Sequence, residues 1–146
     1  MPGIFGYSFI VDGQSMLDPI KPEREPDESE LEVTSNPPQL TQWQEVEHGM
    51  AHLHYCFSLN INCLRQLRVY TPPGYDADQA SRFPVRSLLD GTGDTEATWS
   101  EFGRANLIED NLVAVDEALP LIIVMADGHA DLTDEGGIGS RNLERM

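Results

Sequence analysis

The run Leu121-Ile122-Ile123-Val124-Met125 constrains this chain more than any other stretch. It leaves no polar face for water, so it reads as a strand buried on both faces, the pattern of a parallel sheet. A parallel neighbour needs a long crossover connection, and the residues upstream supply one. Residues 83–89 read as a strand, and Asp90-Gly91-Thr92-Gly93-Asp94 as a Gly-rich turn after it. Thr98 and Glu101 fit a capping box. Ala105, Ile108, Leu112, Val115 and Leu119 recur at three- and four-residue spacing and give a helical region one apolar face. Gly103 breaks that region into two pieces, and Pro120 ends it. Strand, loop, helix and strand make a βαβ unit with an expected right-handed crossover. The fold class is therefore α/β. Ligands in such sheets bind beyond the carboxyl ends of the strands. Two loops occupy that edge: residues 90–94, and Asp127-Gly128-His129-Ala130-Asp131.

Upstream the pattern changes to a period of two. Leu53, Tyr55 and Phe57 face one way, and His52, His54, Cys56 and Ser58 the other. Residues 59–63 connect this strand to a second at 64–70, which Thr71-Pro72-Pro73-Gly74-Tyr75 stops. Residues 7–12 read as a short strand before an Asp12-Gly13 turn, and Met16-Leu17-Asp18-Pro19 closes that unit. Residues 21–38 then carry Glu23, Glu25, Asp27, Glu28, Glu30 and Glu32, broken by Pro22, Pro26 and Pro37-Pro38. Such a stretch buries too little apolar surface to offset its ordering entropy. It reads as an exposed or disordered linker, with an acidic interaction tail as the alternative. The expected division is a first unit over 1–20, an acidic Pro-rich linker over 21–40 and the main unit over 41–146.

A chain of 146 residues fits one domain with a small appendage. It carries 25 acidic against 9 basic residues, a net charge of −16. That surface repels phosphate backbones and anionic membranes, so neither nucleic acid nor membrane is an expected partner. No apolar run reaches spanning length. The first residues show no basic segment followed by an apolar core, which points to the cytoplasm, or to a secreted or periplasmic protein if the true start lies further upstream. Cys56 and Cys63 are too few for a disulfide scaffold or a Cys-rich zinc site, and a cross-hairpin disulfide needs an oxidising compartment.

A family resemblance enters with Arg68-Val69-Tyr70-Thr71-Pro72-Pro73-Gly74-Tyr75-Asp76, Phe83-Pro84-Val85 and Leu88-Leu89-Asp90-Gly91. It continues in order through Trp99, Gly103-Arg104-Ala105-Asn106, Asp110-Asn111-Leu112 and Val124-Met125-Ala126-Asp127-Gly128-His129-Ala130. Upstream it takes in Val11-Asp12-Gly13, Leu17-Asp18-Pro19, and His48-Gly49 with His52, His54, Tyr55 and Ser58. These motifs resemble the esterase branch of the α/β-hydrolases that holds feruloyl esterases, enterochelin esterases and esterase D-like proteins. The resemblance implies the first strands of an α/β-hydrolase sheet preceded by a remnant of a small, carbohydrate-binding-like β-sandwich. It also implies acyl transfer by a Gly-x-Ser-x-Gly serine, a histidine and an acid, with no cofactor. The early oxyanion loop corresponds to Asp90-Gly91-Thr92-Gly93, and Asp127-Gly128-His129 to a second loop at the active-site edge.

Two departures follow. No serine of the chain stands in Gly-x-Ser-x-Gly; Ser140 follows Gly139, but Ile138 and Asn142 fill the flanking positions. In the family's order the nucleophile, acid and base come later, and His129 precedes them, so no catalytic residue is assigned. The sequence looks like the N-terminal part of an esterase, from a truncation, a split gene or an interrupted reading frame. It is expected to be inactive alone; a non-catalytic binding module is the alternative. The second departure is Asp90 where the family has histidine. An ionised carboxylate about 5 Å from a developing oxyanion would raise the barrier by roughly 3 kcal/mol. An ester is the expected substrate only once a C-terminal half completes the site. A half sheet would leave residues 121–125 as an apolar edge prone to self-association.

Other motifs have plainer readings. His52, His54 and Cys56 share a strand face, but a third converging ligand must come from elsewhere, and packing accounts for them. Asp131-x-Thr133-x-Glu135-Gly136 resembles half a calcium loop but has Asn142 at the twelfth position. The glycines at 91–93 lack the lysine of a phosphate loop. Trp43 and Trp99 read as core or loop anchors. No metal is expected.

Overall fold

The computed structural model describes residues 1–20, 23–25, 28–75, 81–91 and 94–128. Thr92, Gly93, His129, the Asp131–Gly136 motif and Ser140 lie outside the described residues. Nine strands and two helices are described: β1 (Gly3–Tyr7), β2 (Phe9–Val11), β3 (Gln14–Met16), β4 (Glu23–Glu25), β5 (Glu28–Val33), β6 (Met50–Ser58), β7 (Cys63–Thr71), β8 (Val85–Leu89), α1 (Thr98–Glu101), α2 (Ala105–Ala114) and β9 (Ile122–Ala126).

The N-terminal strands make two small antiparallel sheets, β1-β5-β4 and β2-β3. Asp12 and Gly13 both take positive φ, at 52° and 81°, and join β2 to β3 as the sequence expects of an Asp-Gly turn. The acidic stretch read as a linker is, over Glu28–Val33, a strand that pairs with the whole of β1. Ser29, Leu31 and Val33 take one face and the glutamates the other, and of the first three only Ser29 is buried. Ser29 is fully buried, and its Oγ accepts the Asp18 N–H at 2.8 Å.

The main sheet has the order β6-β7-β9-β8. β6 and β7 form an antiparallel hairpin, β9 runs antiparallel to β7, and β8 lies parallel to β9. The chain between β8 and β9 carries both helices, so the expected βαβ unit is present. One expectation is overturned. Residues 121–125 are not an edge: β9 has a partner on each side, and the open margins belong to β8 and β6. The apolar run sits where its composition is most useful, with Ile123 and Met125 buried beside Tyr70 and with Leu88, Ala105 and Leu121 packed around them.

The helical region also differs from its expected form. Thr98 does not cap α1; Ala97 takes that position, the Thr98 hydroxyl accepts the Thr95 N–H, and Glu101 turns to Arg68 instead. α2 starts at Arg104 in a left-handed conformation and stops at Ala114, so Val115 and Leu119 stand exposed. Its most buried residues are not apolar. They are Glu109, Asp110 and Asn111. Buried polar groups cost several kcal/mol unless hydrogen-bonded, and the segment leading into β6 supplies partners. Asn111 Nδ2 donates to the carbonyls of Leu40 (2.7 Å) and Gln42 (3.0 Å). The buried Gln42 amide in turn accepts from Ser35 and the Gln39 N–H and donates to the Val33 carbonyl. Arg104 reaches across to Glu30 of β5. Among the described residues no helix is long and apolar enough to cross a membrane.

Candidate active-site edge

β8 and β9 end side by side, with Leu89 opposite Ala126, so the loops after them share one margin of the sheet. Asp90 joins them: its Oδ1 accepts the Gly128 N–H at 2.6 Å. Its other oxygen is buried and has no hydrogen-bond partner among the described residues. The expected oxyanion-loop carboxylate is therefore a latch to the second loop through one oxygen. Gly91 and Asp94 close the turn reciprocally, each N–H donating to the other residue at 3.2 Å. The Trp99 indole N–H donates to the Leu89 carbonyl at 2.8 Å and pins the loop from the helical side.

β7 contributes two cations to the same margin because it runs antiparallel and presents its first half there. Arg65 Nη2 donates to the Asp127 backbone oxygen at 2.8 Å and pairs with its Oδ2 at 3.0 Å. Arg68 pairs with Glu101 at 2.7 Å and donates to Ser100 Oγ at 3.2 Å. Glu96 is buried at 5% exposure. Desolvation raises its carboxyl pKa, and the charges of Asp127 and Glu101 add to this while Arg68 opposes it. Sequence reasoning missed Arg65, Arg68 and Glu96 in this role; for the two arginines a charged residue inside a strand pattern was the available signal. The margin is rich in ion pairs but, among the described residues, holds no activated nucleophile. Ser100, the serine within this network, donates to the Ala97 carbonyl and accepts from Arg68, so no base stands ready to take its proton.

A histidine–carboxylate pair does exist, at the other end of the sheet. Tyr70 lies opposite Ile123, near the start of β9. Around Asp110 the polar groups converge: Oδ1 accepts from the Tyr70 hydroxyl at 2.5 Å and the Gly49 N–H at 2.9 Å, and Oδ2 meets His48 Nδ1 at 2.9 Å. His48 Nε2 faces the Gln44 carbonyl at 3.0 Å. Both ring nitrogens are thus engaged, and neither is open to a substrate hydroxyl, so His48 is not a catalytic base. An open pocket of about 370 Å³ adjoins this cluster, lined by Val46, Glu47, Pro73, Asp110, Val113 and Ala114. It lies away from the β8–β9 loops where acyl chemistry is expected.

His52 and His54 share a face, with ring centroids 6.2 Å apart. Among the described residues no group of three or more potential ligands could hold a metal ion. Cys56 is exposed, Cys63 buried, and both thiols are free; the register sets Cys56 opposite Arg65 and Cys63 opposite Ser58.

No family model matches the chain. An endo-1,4-β-xylanase/feruloyl esterase from Xylanibacter ruminicola is 29% identical over 152 aligned positions, covering 99% of this chain and 21% of that protein. A ferulic acid esterase from Anaeromyces mucronatus matches in structure with a TM-score of 0.59 and 29% identity, over 68% of this chain and 37% of that one. A further ferulic acid esterase gives a TM-score of 0.52 and 30% identity, over 54% of this chain and 31% of that one. The chain spans about a fifth of the curated relative and about a third of these solved structures. In sequence and in fold, this α/β chain is similar to part of the length of feruloyl esterases.

Proposed function

We propose that the chain supplies the first part of a carboxylic-ester hydrolase domain and does not turn over esters by itself. In this reading residues 41–146 provide sheet, crossover and the two loops at the carboxyl margin, and a separate or continuing segment with Gly-x-Ser-x-Gly provides the nucleophile. The N-terminal strands are the remnant of a small β-sandwich. One observation carries the reading. The Asp90 and Asp127–Gly128 loops are latched to each other beyond β8 and β9, while Ser100 beside them donates its hydroxyl to the Ala97 carbonyl rather than to a base. Residual hydrolysis without a triad relies on oxyanion donors and binding, and one donor of the pair follows the nucleophile. A feruloyl-type ester is the favoured substrate class, since the matched relatives carry that name.

The test uses the purified chain with a short-chain aryl ester and with methyl ferulate, before and after an organophosphate serine trap. No saturable turnover is expected from the chain alone. Turnover is expected after mixing with a polypeptide that carries the remaining part of a related feruloyl esterase. Saturable hydrolysis by the chain alone, abolished by the trap with label on one of its serines, would overturn the proposal.

A further inference from the structure

The segment that enters β6 is fastened to α2 through one histidine whose surroundings admit only one protonation state without conflict. Nδ1 of His48 faces the Asp110 carboxylate at 2.9 Å, and Nε2 faces the Gln44 carbonyl at 3.0 Å. Both neighbours are acceptors. A neutral imidazole has a single N–H and would set a lone pair against one of them; the imidazolium donates to both. Trp43 adds a third contact, its ring stacked on that of His48 with centroids 5.6 Å apart and planes 23° from parallel. A cation over an indole face is attracted more strongly than a neutral ring.

The geometry points to a proton-operated clasp: as imidazolium, His48 binds Trp43 and the Gln44 turn to Asp110 of α2, and its deprotonation lets that turn go. The titratable groups facing it agree in sign. Asp110 comes from α2, with Glu109 its neighbour on that helix, and Tyr70 of β7 shares the Asp110 carboxylate. Glu45 and Glu47 flank His48 in its own segment. The hydrogen bond to Asp110 raises the His48 pKa, with smaller help from the Gln44 carbonyl and the Asp110 charge, against a lowering by burial. Release would leave Gly49 and Tyr70 still bonded to Asp110, so the sheet stays closed while the turn lifts. The 370 Å³ pocket lined by Val46 and Glu47 would change shape with it. This inference is independent of whether the chain serves an esterase.

The experiment follows the histidine ring nitrogens of the full chain by NMR from about pH 5 to pH 9. His48 is assigned by the signal lost in His48→Gln. Tryptophan emission is recorded in parallel, with Trp43→Phe separating Trp43 from Trp99. His48 is expected to titrate above the ordinary imidazole value, with two ring N–H signals on the acid side. Trp43 emission should rise with the same midpoint, as a stacked imidazolium quencher is lost. Asp110→Asn should lower that midpoint. A His48 midpoint at or below the ordinary imidazole value, or a Trp43 emission flat through it, would overturn the clasp. Should Asp110→Asn fail to fold, the wild-type chain and Trp43→Phe decide the matter between them.

Discussion

The buried Tyr70 hydroxyl and the buried Asp110 carboxylate meet at 2.5 Å, joining the middle of the sheet to the helix that covers it. The same carboxylate pushes the Tyr70 pKa up, after desolvation, the larger cause. Tyr70→Phe removes one donor and leaves Asp110 with Gly49 and His48, so a loss of about 1–2 kcal/mol in urea unfolding is expected. Asp110→Ala strands three donors at once and should cost about 3–5 kcal/mol. Equal losses from the two variants would show that Asp110 matters to Tyr70 alone.

Gly49 and Gly13 should respond to alanine in opposite degrees. A β-carbon on Gly49 would stand 2.2 Å from the Thr71 oxygen and 2.5 Å from the Tyr70 ring. Neither can give way without breaking the β6–β7 ladder or the core, so Gly49→Ala should cost at least about 3 kcal/mol. At Gly13 a β-carbon meets nothing within 4 Å, and the cost is the left-handed backbone alone. About 1 kcal/mol is expected there. Thermal melting of the two variants distinguishes a steric block from a conformational penalty.

Stability should fall as pH rises from about 5 to about 8. Glu96 and Glu109 have carboxyl pKa values raised by desolvation, so each contributes stability that is complete below the ordinary carboxylate value and lost as pH climbs through its raised one. His48 is raised by its bond to Asp110 and acts with the same sign at higher pH. One Glu109 oxygen is buried with no partner among the described residues, which fits a protonated group. Glu109→Gln should flatten the lower part of the profile. Urea midpoints that increase with pH would contradict the assignment of all three groups.

The open margin of β8 should be the place where the chain associates with itself or with a completing strand. Val85 and Leu89 are 62% and 66% exposed, and β8 has β9 as its one strand neighbour among the described residues. Apolar open edges template pairing, and charge blunts them. Val85→Lys with Leu89→Lys should shift sedimentation at micromolar concentration toward monomer. The same pair of changes at Leu53 and Phe57, exposed on the hairpin, should shift it less.

Much of the sheet was legible because its strands obey simple periodicities. The alternation at Leu53, Tyr55 and Phe57, the Pro72-Pro73 stop and the apolar run before Asp127 each mark a strand and an end. β5 escaped notice because six acidic residues drew attention away from the alternation of Ser29, Leu31 and Val33. The strand order was not legible: nothing local in residues 121–125 tells an inner strand from an outer one, since pairing is decided by partners far along the chain. Asp90 and Asp127–Gly128 were legible as an edge from the βαβ order, but their latch was not. Glu109, Asp110 and Asn111 were the hardest to place. A helical pattern assigns them to water, and the turns at residues 39–49 override it at Asp110 and Asn111 with hydrogen bonds.

Two of those residues, Asp110 and Asn111, give α2 a seating that apolar packing alone does not. Leucines and valines slide past one another at small cost, so a greasy helix tolerates several rotations and offsets on a sheet. Asp110 and Asn111 act instead like the cuts of a key. Turning the helix by one residue, or shifting it by one turn, would withdraw Asp110 from Tyr70 and Gly49 and Asn111 from the Leu40 and Gln42 carbonyls together. The loops at the far margin inherit that single setting, because α1 and α2 lie on the chain that joins β8 to β9.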